Sequence, residues 1–267
     1  MRYISRFLFL AAASLSWLSI PASARDPAPF SWSGIYFGVN AGRAWGDVDF
    51  RTDVGDATAT SYFDPQANAD SVSTNASGGA DLRGTIAGLQ IGALKQTGNF
   101  VYGVEADFGA FNLGGSKGAT NFAYPVTPVP DFYTVRASVD ADWLATARAR
   151  VGWTTSNLLI YVTGGLAVTN LQVTNSFSDT APSAGTGGSS RSDTVAGWTL
   201  GAGLEVALSG NWSLKGEYLY VDLGSVATSG TVVCGPGSFC AGTFASPFTT
   251  SADVSAHIAR VGINRRF

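Results

Sequence analysis

Hydrophobic and polar residues alternate with a period of two along much of this chain, most clearly at its C-terminal end. Every second residue back from Phe267 is Arg265, Ile263, Val261, Ala259 and His257, and the positions between are Arg266, Asn264, Gly262, Arg260 and Ile258. A mostly apolar face set against a polar or small one is a strand with a different medium on each side. Segments of this kind fall near residues 32–45, 84–95, 99–111, 140–153, 157–169, 194–208, 211–222 and 253–267. Three connections are small polar turns that end in Asn and lead at once into an apolar residue: Gly98-Asn99-Phe100, Ser156-Asn157-Leu158 and Gly210-Asn211-Trp212. Four others, near 46–83, 112–139, 170–193 and 223–252, are long. Short and long connections alternate strictly, as in an up-and-down antiparallel sheet.

Sorting the strands by parity gives two chemically distinct faces. One carries Ile35, Phe37 and Val39, then Phe100, Tyr102, Val104 and Phe108. It continues with Ala145, Ala147, Ala149 and Val151, then Ile160, Val162 and Leu166, and ends with Val261 and Ile263. The opposite face carries Glu105, Asp107, Arg148, Arg150, Glu205, Lys215, Glu217 and Arg260, with Asn264 beside them. Trp143 and Trp153 bracket an apolar row on the fourth strand. Such a row, tilted about 45°, climbs roughly 23 Å. That matches the apolar band of a transmembrane barrel, about 25 Å tall. Trp143, Trp153, Trp198, Trp212, Tyr218 and Tyr220 then form the aromatic girdle. A soluble lipocalin-like barrel, in which apolar residues point inward, is the alternative and is disfavoured because the opposite face carries formal charges.

The pattern therefore predicts an all-β fold, an eight-stranded antiparallel up-and-down transmembrane β-barrel with four long extracellular loops and three short periplasmic turns. The charges point into the lumen, where they must pair to offset their desolvation. A bore of eight strands is only wide enough for its own side chains, so the network fills it. A small-solute pore is the competing reading. Segments such as Asp64–Asp70 and Ala181–Ser190 have loop composition and are read as unable to hold a packed core.

Composition agrees. The chain has 33 glycines and only 13% charged residues, against about 25% in ordinary soluble domains. Beyond the N-terminal segment no stretch is continuously apolar over the about 18 residues that a spanning helix needs. Residues 1–24 read as a cleaved secretory signal peptide. Arg2 and Arg6 precede the apolar run that begins at Phe7, and Ala22-Ser23-Ala24 supplies a small-x-small cleavage site. Residues 25–267 are then the outer-membrane β-barrel domain. The net charge of −3 becomes more negative once Arg2 and Arg6 are removed and offers no footprint for nucleic acid.

Candidate chemistry is sparse. His257 shares a face with Ser255, and a lipid A-modifying hydrolase could use that pair. A working triad also needs an orienting acid and an oxyanion hole, and Asp253 on the same face lies near the rim. The plainer reading of His257 is a polar interface residue, so the chain is read as no enzyme. Cys234 and Cys240 are expected to form a loop disulfide in an oxidising compartment. Nothing in their vicinity completes a metal site, and no cofactor is called for.

The chain resembles the small surface-antigen barrels of alpha-proteobacteria, a branch of the OmpA-like barrel class that includes hemin-binding members. The resemblance rests on Trp32-Ser-Gly-Ile-Tyr-Phe-Gly-Val-Asn-Ala-Gly42, on Trp212-Ser-Leu-Lys-Gly-Glu-Tyr-Leu-Tyr220 and on His257-Ile-Ala-Arg-Val-Gly-Ile-Asn264 before the terminal Phe267. It covers the strands but not the loops. Arg265 departs from it, because such barrels usually carry an aromatic residue there. The resemblance implies a structural and surface protein of the cell outer membrane of a Gram-negative bacterium, contributing to envelope integrity and presenting its loops. Outer-membrane lipid and lipopolysaccharide are its implied partners, as is the barrel-assembly machinery through the C-terminal strand, with Phe267 as the assembly signal. Host surface ligands or hemin would meet the loops. Hemin ligation favours His, Met or Tyr, which for a hemin receptor leaves Tyr62, Tyr124 and Tyr133 in the loops.

Overall fold

A computed structural model describes residues 30–126, 131–182, 184–236, 238 and 244–267. The segment read as a signal peptide lies outside them. Among the described residues there are eight strands: β1 (Gly34–Asp53), β2 (Gly78–Thr97), β3 (Phe100–Ala123), β4 (Phe132–Thr155), β5 (Leu158–Asp179), β6 (Thr186–Ala207), β7 (Trp212–Val233) and β8 (Ala245–Arg266). A helix, α1 (Gln66–Ala76), lies between β1 and β2. Each strand pairs antiparallel with the next, and β8 returns to β1, closing the barrel.

Stagger accompanies closure. The register runs from Phe37 through Ile91, Ala106, Ala147, Leu166, Trp198, Asp222 and Ser255, and re-enters β1 at Asp47 rather than Phe37. That offset is the shear that tilts the strands. The turns after β2 and β6 are closed by Gly98 and Gly210, at φ of 61° and 66° with open space where a Cβ would sit.

The strands are longer than the alternation predicts, at 20 to 24 residues each. A tilted strand crosses a bilayer in about 9–11 residues. Most of what reads as loop (46–53, 78–83, 112–123, 132–139, 170–179, 186–193, 223–233 and 245–252) is strand. The true connections at that end are 54–77, 124–131, 180–185 and 234–244. In these extensions Val48, Phe50, Leu82, Leu113, Val139, Leu171 and Val173 point inward and are buried. Asp47, Asp49, Arg51 and Asp81 point outward. Inward and outward positions keep alternating, with the buried parity shifting by one residue on β4 and β7, and the chemistry of the faces is exchanged because the outer medium there is water. Irregularities in register at Ala110/Leu113, Ala141/Leu144 and Asp222/Ser225 mark the change on three strands, and bulges commonly bend a strand at such a point.

A second correction concerns the segment around Asp64–Asp70. It enters α1, whose Ala69, Val72 and Ala76 pack with Phe63, Tyr133, Val135, Phe177, Val232 and Phe248. Small residues suffice for a core here because the aromatic bulk comes from the barrel mouth. Likewise Thr186–Ser190 belongs to β6.

The interior is stratified. At the turn end Trp32, Tyr36, Leu94, Val101, Leu159 and Tyr161 cluster. Next comes the charged layer. Beyond it lies the apolar layer that contains Val48, Phe111, Leu144 and Ile258, and α1 and its aromatic neighbours form the head at the far end.

Candidate functional site: the lumenal charge layer and the outer wall

The inward faces of β3, β4, β6, β7 and β8 bring Glu105, Asp107, Arg148, Arg150, Glu205, Lys215, Glu217 and Arg260 together, each no more than 7% exposed. Arg148 bridges Asp107 at 2.8 Å and Glu217 at 3.1 Å, and also pairs with Glu105. Arg150 spans Glu105 at 3.1 Å and Glu205 at 2.8 Å. Lys215 meets Glu105 at 2.9 Å, and Arg260 meets Asp107 at 3.0 Å and Glu217 at 2.6 Å. Every carboxylate thus faces at least one cation, the arrangement that makes burial of charge tolerable.

Parity alone would have found further members that the sequence reading left out. Tyr36 donates to Glu105, and Arg150 donates to the Tyr36 hydroxyl at 2.8 Å. Tyr161 donates to Glu217 at 2.9 Å, and the Arg150 guanidinium lies 3.7 Å from the Tyr161 ring centroid. Gly92 makes room for Tyr36, since a Cβ there would lie 2.3 Å from its ring. Arg266 closes the turn end, bonded to the Trp32 carbonyl and 3.6 Å from Glu205. Asn264 donates to Glu205 at 3.0 Å and accepts from Gln90.

The outer wall carries the apolar rows. Leu89, Val104, Phe108 and Leu166 are each at least 60% exposed. Among the expected girdle residues, Trp153 and Trp212 lie at the turn end, where Trp153 pairs in register with Phe100 and Arg265 stacks on Trp212 at 5.7 Å. Arg265 also stacks on Phe267 at 5.4 Å, so it joins the rings at that rim. Trp143 packs on Phe108 and Trp198 on Tyr220 at the other rim. Tyr218 and Tyr220 flank His257 there, together with Trp45, which the sequence reading did not assign to the girdle.

The partner of the His257 Nδ1 is the Tyr218 hydroxyl, at 2.7 Å. Ser255 sits on the same face, level with Asp47 and Asp222. Cys234 is disulfide-bonded, and Cys240 lies outside the described residues. The three tyrosines expected in loops gather in the head, Tyr133 from strand β4 rather than from a connection. Tyr62 and Tyr124 donate to the Asp179 carboxylate at 2.6 and 2.9 Å, and Tyr133 bonds Ser71 and Asn75. Burial lifts the Asp179 carboxyl above the ordinary carboxylate range, against the opposing pull of these hydrogen bonds and that from the Gly185 N–H. Burial likewise raises the Tyr124 phenol, with the Asp179 charge adding to it. Among the described residues no group of acidic, histidine or cysteine side chains is placed to hold a metal.

Comparison with known proteins assigns the family. The model of the outer membrane protein beta-barrel domain matches residues 10–267. The 31 kDa outer-membrane immunogenic protein of Brucella melitensis is 35% identical over 89% of this chain and 85% of its own length. The 22 kDa outer membrane protein of Rhizobium leguminosarum is 31% identical over 48% of this chain and 47% of its own. Among solved structures, the outer membrane protein OprG from Pseudomonas aeruginosa is similar at 12% identity and a TM-score of 0.48, covering 88% of this chain and 96% of that one. An apolar wall, a buried charge layer, the family model and the Brucella relative lead to one conclusion: the chain is a surface protein of the outer membrane and belongs to the outer membrane protein β-barrel family.

Proposed function

We propose that this chain works without catalysis, as a solid-cored scaffold that adds to envelope integrity and holds a compact head outside the membrane for contact with host surfaces or ligands. The observation that carries the reading is the stacking of layers in the bore. The charged layer lies between two apolar clusters, so a hydrated ion meets dry packing above and below it. What remains for interaction is the exterior: the lipid-facing wall and the head, in which α1 packs with Phe63, Tyr133, Phe177 and Phe248. The Brucella relative is an outer-membrane immunogenic protein, which supports exposure at the cell surface. In the same reading residues 1–24 are removed on export, Phe267 is read by the assembly machinery, and Cys234 is bonded to Cys240.

Planar-bilayer recording tests the scaffold against a pore. The expected result is no steady conductance from the refolded chain; regular unitary steps would overturn the reading. The lipid hydrolase alternative draws no support from His257, whose Nδ1 is taken by Tyr218. The hemin alternative draws none from Tyr62, Tyr124 and Tyr133, whose hydroxyls are engaged inside the head.

A further inference from the structure

Arg43 breaks the rule of the outer wall. It lies on the outward face of β1, in the row of Phe37, Val39 and Ala41, one outward position below Trp45. Trp45 stacks on His257 at 6.0 Å in the belt at the loop end, so Arg43 stands on the hydrocarbon side of that belt. Its side chain makes no hydrogen bond or ion pair among the described residues. A guanidinium at that depth is costly unless it reaches the interface or finds an anion.

The register supplies the rest of a site. Thr85 lies directly opposite Arg43, and Arg83 lies opposite Trp45. Arg83 is therefore the diagonal neighbour of Arg43, about 7–8 Å away along the sheet. The Arg83 side chain is 83% exposed, and its contact with Asp81 is a loose 3.7 Å. Asp81 and its register partner Asp47 lie on the extracellular side of the pair, which leaves the side toward the membrane free. Ala259 lies level with Arg43 on the β8 side, and the wall below the arginines carries the small residues Ala41 and Ala87, with Val261 beside Ala41.

We propose that Arg43, Arg83 and Thr85 form a site for the phosphate of a phosphorylated glycolipid of the outer leaflet, whose acyl chains lie along the alanine strip. Two guanidinium forks present paired donors to phosphate oxygens, and the threonine hydroxyl adds a third donor. An anion between the arginines removes their mutual repulsion and satisfies Arg43 where protein groups do not.

The test uses the full chain refolded from denaturant into detergent micelles free of bacterial lipid, with folding checked by heat-modifiable migration. Tryptophan fluorescence, to which Trp45 contributes beside the site, follows titration with bisphosphorylated lipid A, with the same glycolipid stripped of phosphate, and with inorganic phosphate. Wild type and an R136Q control, altered at an exposed position on β4, should bind the phosphorylated lipid. R43Q/R83Q should bind it at least about tenfold more weakly, the scale expected for loss of charge-assisted hydrogen bonds. Wild type should discriminate against the stripped lipid by a similar factor and give no saturable response to inorganic phosphate. Should the double variant fail to refold, R83Q alone replaces it, with the same direction expected. Equal affinity of the variant, equal affinity for the stripped lipid, absent binding by wild type, or saturable binding of free phosphate would each overturn the proposal.

Discussion

Glu217 is, with Glu105, one of the two carboxylates on which the lumenal cations converge. Arg260 lies 2.6 Å away, Arg148 3.1 Å and Lys215 3.7 Å, and the Tyr161 hydroxyl donates to it at 2.9 Å. Substituting Glu217→Gln keeps the shape and removes the charge, leaving buried cations short of a partner. Loss of one member of a buried pair typically costs about 3–5 kcal/mol, so E217Q should unfold at markedly lower denaturant, read as loss of the fast-migrating folded band. Leu89→Ala, on a wall position 67% exposed, should shift the midpoint far less, because lipid replaces the lost contacts. Equal midpoints for E217Q and wild type would remove the structural role of the charge layer. At the opposite end, Asp179 has the reverse sign. Burial raises its carboxyl above the ordinary range, so its contribution to the head is fully present below the unfolded value of about 3.9 and is lost as pH rises through the raised folded value. Protease cleavage in the connections held by Tyr62 and Tyr124 should thus be slower in mild acid than at neutral pH, after correction for protease activity. D179N should abolish that difference.

Strands and helix were legible to different degrees, for reasons of medium and size. Within the wall, residues such as Val104 and Glu105 differ so strongly that parity alone gives the face of each side chain. Above the wall the same parity persists in Asp47-Val48-Asp49-Phe50, but outward aspartates read as loop when an apolar outer face is expected. The lumenal charges were legible by the same logic, whereas Tyr36 and Tyr161 share the inward parity but carry no charge to mark them as members of the layer. Helix α1 was illegible because its buried side is only Ala69, Val72 and Ala76, beside Asn68, and the rings that make it a core come from Phe63 just before it and from β4, β5 and β8. That division of labour makes the helix separable from the barrel. Val72→Asp should expose 54–77 to protease while leaving heat-modifiable migration intact; if the folded band disappears as well, head and barrel form one cooperative unit.

For the molecule as a whole, closure depends on the seam between β1 and β8, and Phe267 sits at its final rung. Its N–H donates to the Ile35 carbonyl at 2.9 Å, and its ring meets Phe37 edge-on at 6.0 Å while remaining 68% exposed. Removing it deletes one terminal hydrogen bond and one rim ring, and the seam from Phe37–Arg265 upward is untouched. The folded state should lose only about 1 kcal/mol, the size of one exposed contact. An assembly role makes a different demand, because the terminal aromatic would be needed before the seam exists. The truncated chain is therefore predicted to refold in detergent with a denaturation midpoint near that of wild type, and yet to reach the outer membrane at strongly reduced level. A truncation that is unstable in detergent would make Phe267 a structural residue, and one that accumulates normally in the membrane would remove its role as a signal. Only the combination of near-normal stability with poor assembly separates the finished barrel from the route by which it closes.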